Sequence, residues 1–236
     1  MISVVRVGQL SDSIEVTVYQ AKVSTDSQHD QHYWRLLDKL EHAQASRIKQ
    51  PSLQHRYVDI HGRLRVLLGQ WLNESPDQII ISRTEHGKPY LEHYPELRFN
   101  LSHTEDHILF AIANKAQLGV DIEVCKQRAN LAGLVDKCFA EQERAYWTQL
   151  PEAAKVQAFY DFWTQKEAFV KATGRGIALG LNACVVNPLQ PTTFLSVPEV
   201  CGSASAWHSQ ALACGADLAA TIVADRSFTI IKAAGF

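Results

Sequence analysis

Gly119-Val120-Asp121-Ile122-Glu123-Val124 is the stretch of this 236-residue chain from which the rest is best read. Side chains alternate across a strand, so Asp121 and Glu123 share one face while Val120, Ile122 and Val124 share the other. The second face suits a core. The first carries two carboxylates whose Cα atoms would stand about 7 Å apart, near enough to converge on one cation. Taken alone, such a hexapeptide is more often an edge strand with two solvated acids.

A second segment, Phe162-Trp163-Thr164-Gln165-Lys166-Glu167-Ala168-Phe169-Val170-Lys171, makes the acids more interesting. Phe159, Trp163, Val170 and Thr173 recur at helical intervals, and Gly174 supplies a C-cap. Glu167 sits one turn after Trp163 and one turn before Lys171, at the margin of the apolar face. In isolation Glu167 and Lys171 form an i,i+4 surface pair contributing about 0.2–0.5 kcal/mol. Turned toward the strand, Glu167 becomes a third carboxylate with Lys171 beside it for an anionic substrate. Three carboxylates without thiol or imidazole favour Mg²⁺, or Mn²⁺, over Zn²⁺. Mg²⁺ so held completes its shell with water and phosphate oxygens, which points to a phosphate compound.

Around these segments the chain alternates between the two periodicities. Ile14, Val16 and Val18 alternate with polar residues as in a half-buried strand. A polar helical stretch over 29–57 gathers Arg47, Lys49 and Arg56 near Pro51. Tyr57, Ile60, Leu64, Leu67, Leu68 and Trp71 define a helix over 53–72, although Gly62 and Gly69 weaken it. Ile79 to Ile81 suggests a short buried strand, and 85–95 reads as a loop. Apolar runs at 97–101, 108–113 and 118–124 follow, and Asn114-Lys115 between the last two suggests a hairpin. Helices over 130–173, broken near Pro151, give way to strand-like runs at 183–186, 194–197, 216–224 and 228–231. The expected class is α+β, with one lobe over 1–115 and a second over 116–236 that carries the acids.

Composition narrows the function. The chain is 46% apolar and 20% charged, an ordinary globular balance. Its 23 Lys and Arg against 25 Asp and Glu leave a net charge of −2, which argues against non-specific DNA binding by bulk charge and leaves only local basic patches. Five cysteines without a CxxC pair fit reduced, mostly buried thiols of a cytoplasmic protein. The first fifteen residues lack the layout of a secretory leader, and no apolar run approaches the ~20 residues of a membrane helix.

Candidates for holding a phosphate are Gly87-Lys88-Pro89 on a tight turn, the Arg47, Lys49 and Arg56 cluster, Ser102-His103, and Lys166 and Lys171 on the helix. Neither a Walker loop nor GxGxxG is present. His103 and His107 have the spacing of a zinc helix, but strand-like sequence on both sides makes the gap a turn.

Taken in order, Gly87-Lys88-Pro89, Phe99-Asn100-Leu101-Ser102-His103, Gly119 to Glu123 and Trp163 to Lys171 resemble the large, monomeric type of 4′-phosphopantetheinyl transferase. The resemblance extends from the basic segment around 47–56 to the strand at 216–224. It implies two α+β lobes related by pseudo-twofold symmetry with coenzyme A between them. It also implies Mg²⁺-dependent transfer of the phosphopantetheine arm to a serine of an acyl or peptidyl carrier protein, releasing 3′,5′-ADP. By position, Asp121, Glu123 and Glu167 match the metal ligands and Lys171 the lysine near the phosphates. Lys88, Ser102, His103 and Arg56 match positions that contact the adenine or phosphates, and Arg47 the same basic edge. Glu167, directly or through a metal-bound water, is the candidate base for the serine hydroxyl. Thr104 stands where the family often has serine, a neutral exchange. Ala140 replaces a capping serine at a cost of about 1 kcal/mol. Lys126, Arg128 and Lys137 are candidates for meeting an acidic carrier. Two other readings use the same residues: a metal-dependent hydrolase of nucleotide pyrophosphates, and a binder of coenzyme A or a carrier that transfers nothing.

Overall fold

The computed structural model describes residues 13–24 and 27–233, with side chains left out at 27–29 and 177. The leader reading rests largely on residues 1–12, which lie outside the described residues. The elements in order are β1 (Ile14–Lys22), α1 (Ser27–Leu36), α2 (Lys39–Arg47), α3 (Pro51–Leu72), β2 (Ile81–Arg83), β3 (Pro89–Leu91), β4 (Leu97–Thr104), β5 (His107–Asn114) and β6 (Leu118–Val124). The second half continues with α4 (Leu131–Cys138), α5 (Glu141–Gln149), α6 (Glu152–Thr173), β7 (Val185–Val186), β8 (Phe194–Ser196), β9 (His208–Ala211), β10 (Leu218–Ala224) and β11 (Phe228–Lys232).

The layers run helix, sheet, sheet, helix. One sheet has the order β11-β1-β5-β4 and the other β6-β10-β9. Strand β5 is apolar from Ile108 to Ala113 because both its faces are covered. Ile108, Phe110 and Ile112 pack with Ile60, Leu64 and Leu67 of α3, while Leu109, Ala111 and Ala113 meet Val120 and Ile122 of the second sheet. The second sheet turns its other face to α6, where Ala219 and Val223 pack with Phe159 and Phe169. The mixed α/β class therefore stands, with one 22-residue helix outside each sheet.

The expected hairpin across Asn114-Lys115 does not form. Both edges of β5 are taken, by β1 and by β4, and β6 pairs antiparallel with β10 instead. Lys115, at φ 59°, donates its backbone N–H to Glu96 O at 2.8 Å and turns the chain toward the second sheet. The tight hairpin is β4–β5, closed through Glu105 at φ 49°. His103 and His107 thus stand on two strands, not on a zinc helix. The region read as a loop over 85–95 contains β3, paired with β2. The final strand, β11, returns to pair parallel with β1 in the first sheet.

Among the described residues, no helix is long and apolar enough to cross a membrane. All five cysteines are free; Cys138 and Cys184 are buried, and Cys125, Cys201 and Cys214 are half-buried.

Candidate active site

Glycine decides how closely α6 approaches the acids. A Cβ on Gly119 would stand 2.0 Å from the backbone oxygen of Ala168 and 2.4 Å from the nitrogen of Ala172. Only a residue without a side chain lets the helix rest directly on β6. Residues 168 and 172 flank Glu167 and Lys171, so this contact brings both beside Asp121. As the alternation requires, Val120 and Ile122 lie in the core between the sheets, and Asp121 and Glu123 face the other way.

The edges of the two sheets meet where β4 runs beside β6, and alternate side chains of β4 join them. Asn100 Oδ1 accepts the Val120 backbone N–H at 2.8 Å. Ser102 Oγ donates to Asp121 Oδ1 at 2.8 Å, and Thr104 Oγ1 donates to Glu123 Oε2 at 3.2 Å. From α6, Lys171 Nζ reaches Asp121 Oδ1 at 2.7 Å and Ser102 Oγ at 2.8 Å. Asn100 and Thr104 were not among the predicted site residues. Their period-two spacing around Ser102 was the available signal.

The carboxylates are held in tension. Burial raises the pKa of Asp121, against the opposing pull of Lys171 and Ser102. Burial and then the charge of Asp121 raise both Glu123 and Glu167. Asp121 Oδ2 is buried with no hydrogen-bond partner, an oxygen left over for a further positive group. Among the described residues, no three His, Cys, Asp or Glu side chains already converge at ligand geometry. The chemistry of the donors nevertheless fits a hard divalent ion: three neighbouring carboxylates, mutually repelling, one with an orphaned oxygen.

Beside them opens a cavity of about 390 Å³ lined by Glu167, Lys171, His61, Arg83 and Lys88. A smaller one, about 240 Å³, adjoins it through His61 and Leu101, with Arg56 and His103 in its wall. Partial burial, then the charges of Arg56, Lys171 and His61, lower the pKa of His103. Lys88 donates to Ala172 O at 2.7 Å and Leu118 O at 3.0 Å, clasping the end of α6 to the start of β6. Burial lowers its pKa to about 8. Arg47, exposed on the last turn of α2, lines neither cavity.

Lys166 is a correction. It does not project toward a phosphate but is fully buried, paired with Glu143 at 2.8 Å. It also donates to Leu181 O at 2.9 Å and to Cys184 O. Glu143 further accepts the Ala140 N–H at 2.6 Å and the Val186 N–H at 2.7 Å. Ala140 offers α5 no side-chain cap, as expected, while Glu143 supplies the reciprocal half of a capping box.

Comparison with known proteins agrees with this architecture. Residues 27–115 match the 4′-phosphopantetheinyl transferase N-terminal family, and residues 117–223 match the 4′-phosphopantetheinyl transferase superfamily. The 4′-phosphopantetheinyl transferase HetI of Nostoc sp. is 32% identical over 193 residues, covering 80% of this chain and 81% of that one. The 4′-phosphopantetheinyl transferase gsp of Aneurinibacillus migulanus is 27% identical over 182 residues, 73% of each chain. The 4′-phosphopantetheinyl transferase AcpT of Salmonella typhi is 31% identical over 152 residues, 57% of this chain and 78% of the other. With its carboxylates set between two sheet edges and both halves matched, the chain belongs to the 4′-phosphopantetheinyl transferase superfamily of transferase enzymes.

Proposed function

We propose that this transferase moves the phosphopantetheine arm of coenzyme A to a carrier-protein serine, with Asp121, Glu123 and Glu167 holding Mg²⁺ or Mn²⁺. The observation that carries the reading is the approach of α6 to β6 over Gly119, which sets Glu167 and Lys171 against Asp121. A divalent ion held there supplies Lewis-acid neutralisation of pyrophosphate charge. The remaining work falls to this chain's side chains. The serine oxygen attacks phosphorus, the bond to the 3′,5′-ADP oxygen breaks, and the serine proton passes to a base. Glu167, which lines the cavity on the same face as Lys171, is the candidate for that role. Lys171 gives on to the cavity and offers its ammonium to the charge that develops on the 5′-phosphate of the leaving 3′,5′-ADP. Ser102 fixes both Lys171 and Asp121, and Thr104 fixes Glu123.

Residues 1–115 and 116–236 form the two lobes in this reading. The short link between β5 and β6 and the break between the two family matches support that division; β11 crosses back over it. The enzyme acts as a cytoplasmic monomer, consistent with its free thiols. Arg56, His103 and Lys88 are the cationic side of the coenzyme A site in this reading, and Arg47, outside both cavities, stays on the exposed surface next to Ile48.

Intact-mass spectrometry of an apo carrier protein incubated with the enzyme, coenzyme A and Mg²⁺ tests the proposal. A gain of one phosphopantetheine arm is expected, and it should vanish with EDTA. Free phosphopantetheine with an unmodified carrier would instead identify a hydrolase.

A further inference from the structure

The side chains of β4 that join the two sheets lie at every second position, and the row has one more member. Arg98 stands two residues before Asn100 on the same face of the strand. Asn100, Ser102 and Thr104 each have a partner across the junction. Among the described residues, the guanidinium of the half-buried Arg98 has neither a hydrogen bond nor an ion pair. It lines a cavity of about 390 Å³ between β3, β4 and the end of α6. Lys88, Pro89 and Gly174 border both this cavity and the one beside the acids, whereas Glu167 and Lys171 border only the latter.

Two cations without a counter-charge define this space. Lys88 spends two of its three N–H groups on Ala172 O and Leu118 O, which leaves one for a ligand. Its pKa falls to about 8 through burial first and then through the like charge of Arg98. No Asp or Glu lines the cavity. Asp225 attracts Lys88 from outside it, and its Oδ1 is occupied by the Gln117 backbone N–H at 2.9 Å. Neutral donors complete the wall. Thr84 Oγ1 accepts the Lys88 backbone N–H at 3.1 Å, so its own proton is left to donate, and Gln117 adds a side-chain amide.

We infer that Arg98 and Lys88 form a second anion site, separate from the cavity beside the acids, that takes a doubly charged oxyanion of the phosphate class. The guanidinium fork meets two oxygens and the Lys88 ammonium a third. The bound anion cancels the repulsion between the two cations. It thereby steadies the Lys88 clasp between α6, which carries Glu167 and Lys171, and β6, which carries Asp121.

Titration of inorganic phosphate into the full chain, against chloride at equal ionic strength, tests the inference by nitrogen-15 NMR of the arginine Nε–H groups. The Arg98 resonance of the wild type should shift to saturation with phosphate and stay unmoved with chloride. Followed at the Thr84 and Gln117 backbone amides, phosphate affinity should weaken at least about tenfold in Arg98→Gln, the scale of one charge-assisted contact, and less in Arg98→Lys, which keeps the charge. A phosphate response at Arg56 with none at Arg98 would put the anion elsewhere and overturn the inference. An equal response to chloride would reduce it to charge screening, with the same consequence.

Discussion

Two lysine–carboxylate pairs on one helix share a chemistry and differ in everything around it. Lys166 meets Glu143 at 2.8 Å and Lys171 meets Asp121 at 2.7 Å. Five residues of helix turn through about 500°, so the two ammonium groups leave α6 about 140° apart. The first pair has no exposed surface, and its polar atoms are occupied by backbone groups on several elements. The second keeps 30% of the lysine exposed, leaves Asp121 Oδ2 without a partner, and has Glu123 and Glu167 crowding it with like charge. A satisfied pair holds three elements together. An unsatisfied one retains the capacity to bind something else.

The contrast can be broken from either side. Glu167→Ala should reduce carrier modification about a thousandfold, the scale of a lost base, while thermal unfolding stays near the wild type, because removing Glu167 relieves repulsion. Loss of fold together with activity would instead put Glu167 in the structural class. Lys166→Met should cost about 3–5 kcal/mol in denaturant unfolding, since it strands a buried Glu143. Adding Glu143→Leu to it should recover only part, because the Ala140 and Val186 N–H groups lose their acceptor. Gly119→Ala should cost about 1–3 kcal/mol through overpacking and slow transfer more than its stability loss explains, by lifting α6 from β6. An unchanged rate would show that the close approach does not position the acids.

The pH dependence sharpens the same comparison at smaller scale. Folding raises the pKa of Asp121, Glu123 and Glu167, so the folded chain binds more protons than the unfolded one above the ordinary carboxylate range. Stability from these groups is greatest below that range and is lost as pH rises through their raised values. The melting temperature of the wild type relative to Glu167→Gln should therefore fall as pH rises above the ordinary carboxylate range. Mg²⁺ at tenfold its Kd should restore about 1.4 kcal/mol at pH 7 and less as pH falls and protons compete with the ion for the carboxylates.

The site was largely legible because its parts obey local periods. Asp121 and Glu123 on one face, Glu167 and Lys171 one turn apart, and the helix over 53–72 all follow from counting by two or by 3.6. Lys166 was misread although the same count turns it away from Lys171; its partner Glu143, on α5, is not visible from α6. The β5–β6 hairpin failed for a non-local reason. Adjacent apolar runs predict pairing only if their edges are free, and those of β5 belong to β1 and β4. The parallel pairing of β11 with β1, and the joining of β4 to β6 through side chains, depend equally on contacts that sequence proximity does not carry.

Mn²⁺ binding followed by electron paramagnetic resonance tests the central claim most directly, in the wild type, Glu167→Gln and Asp121→Asn. The account predicts one bound Mn²⁺ per chain in the wild type and affinity weakened at least about tenfold in each variant. Equal Mn²⁺ binding by all three proteins would contradict it.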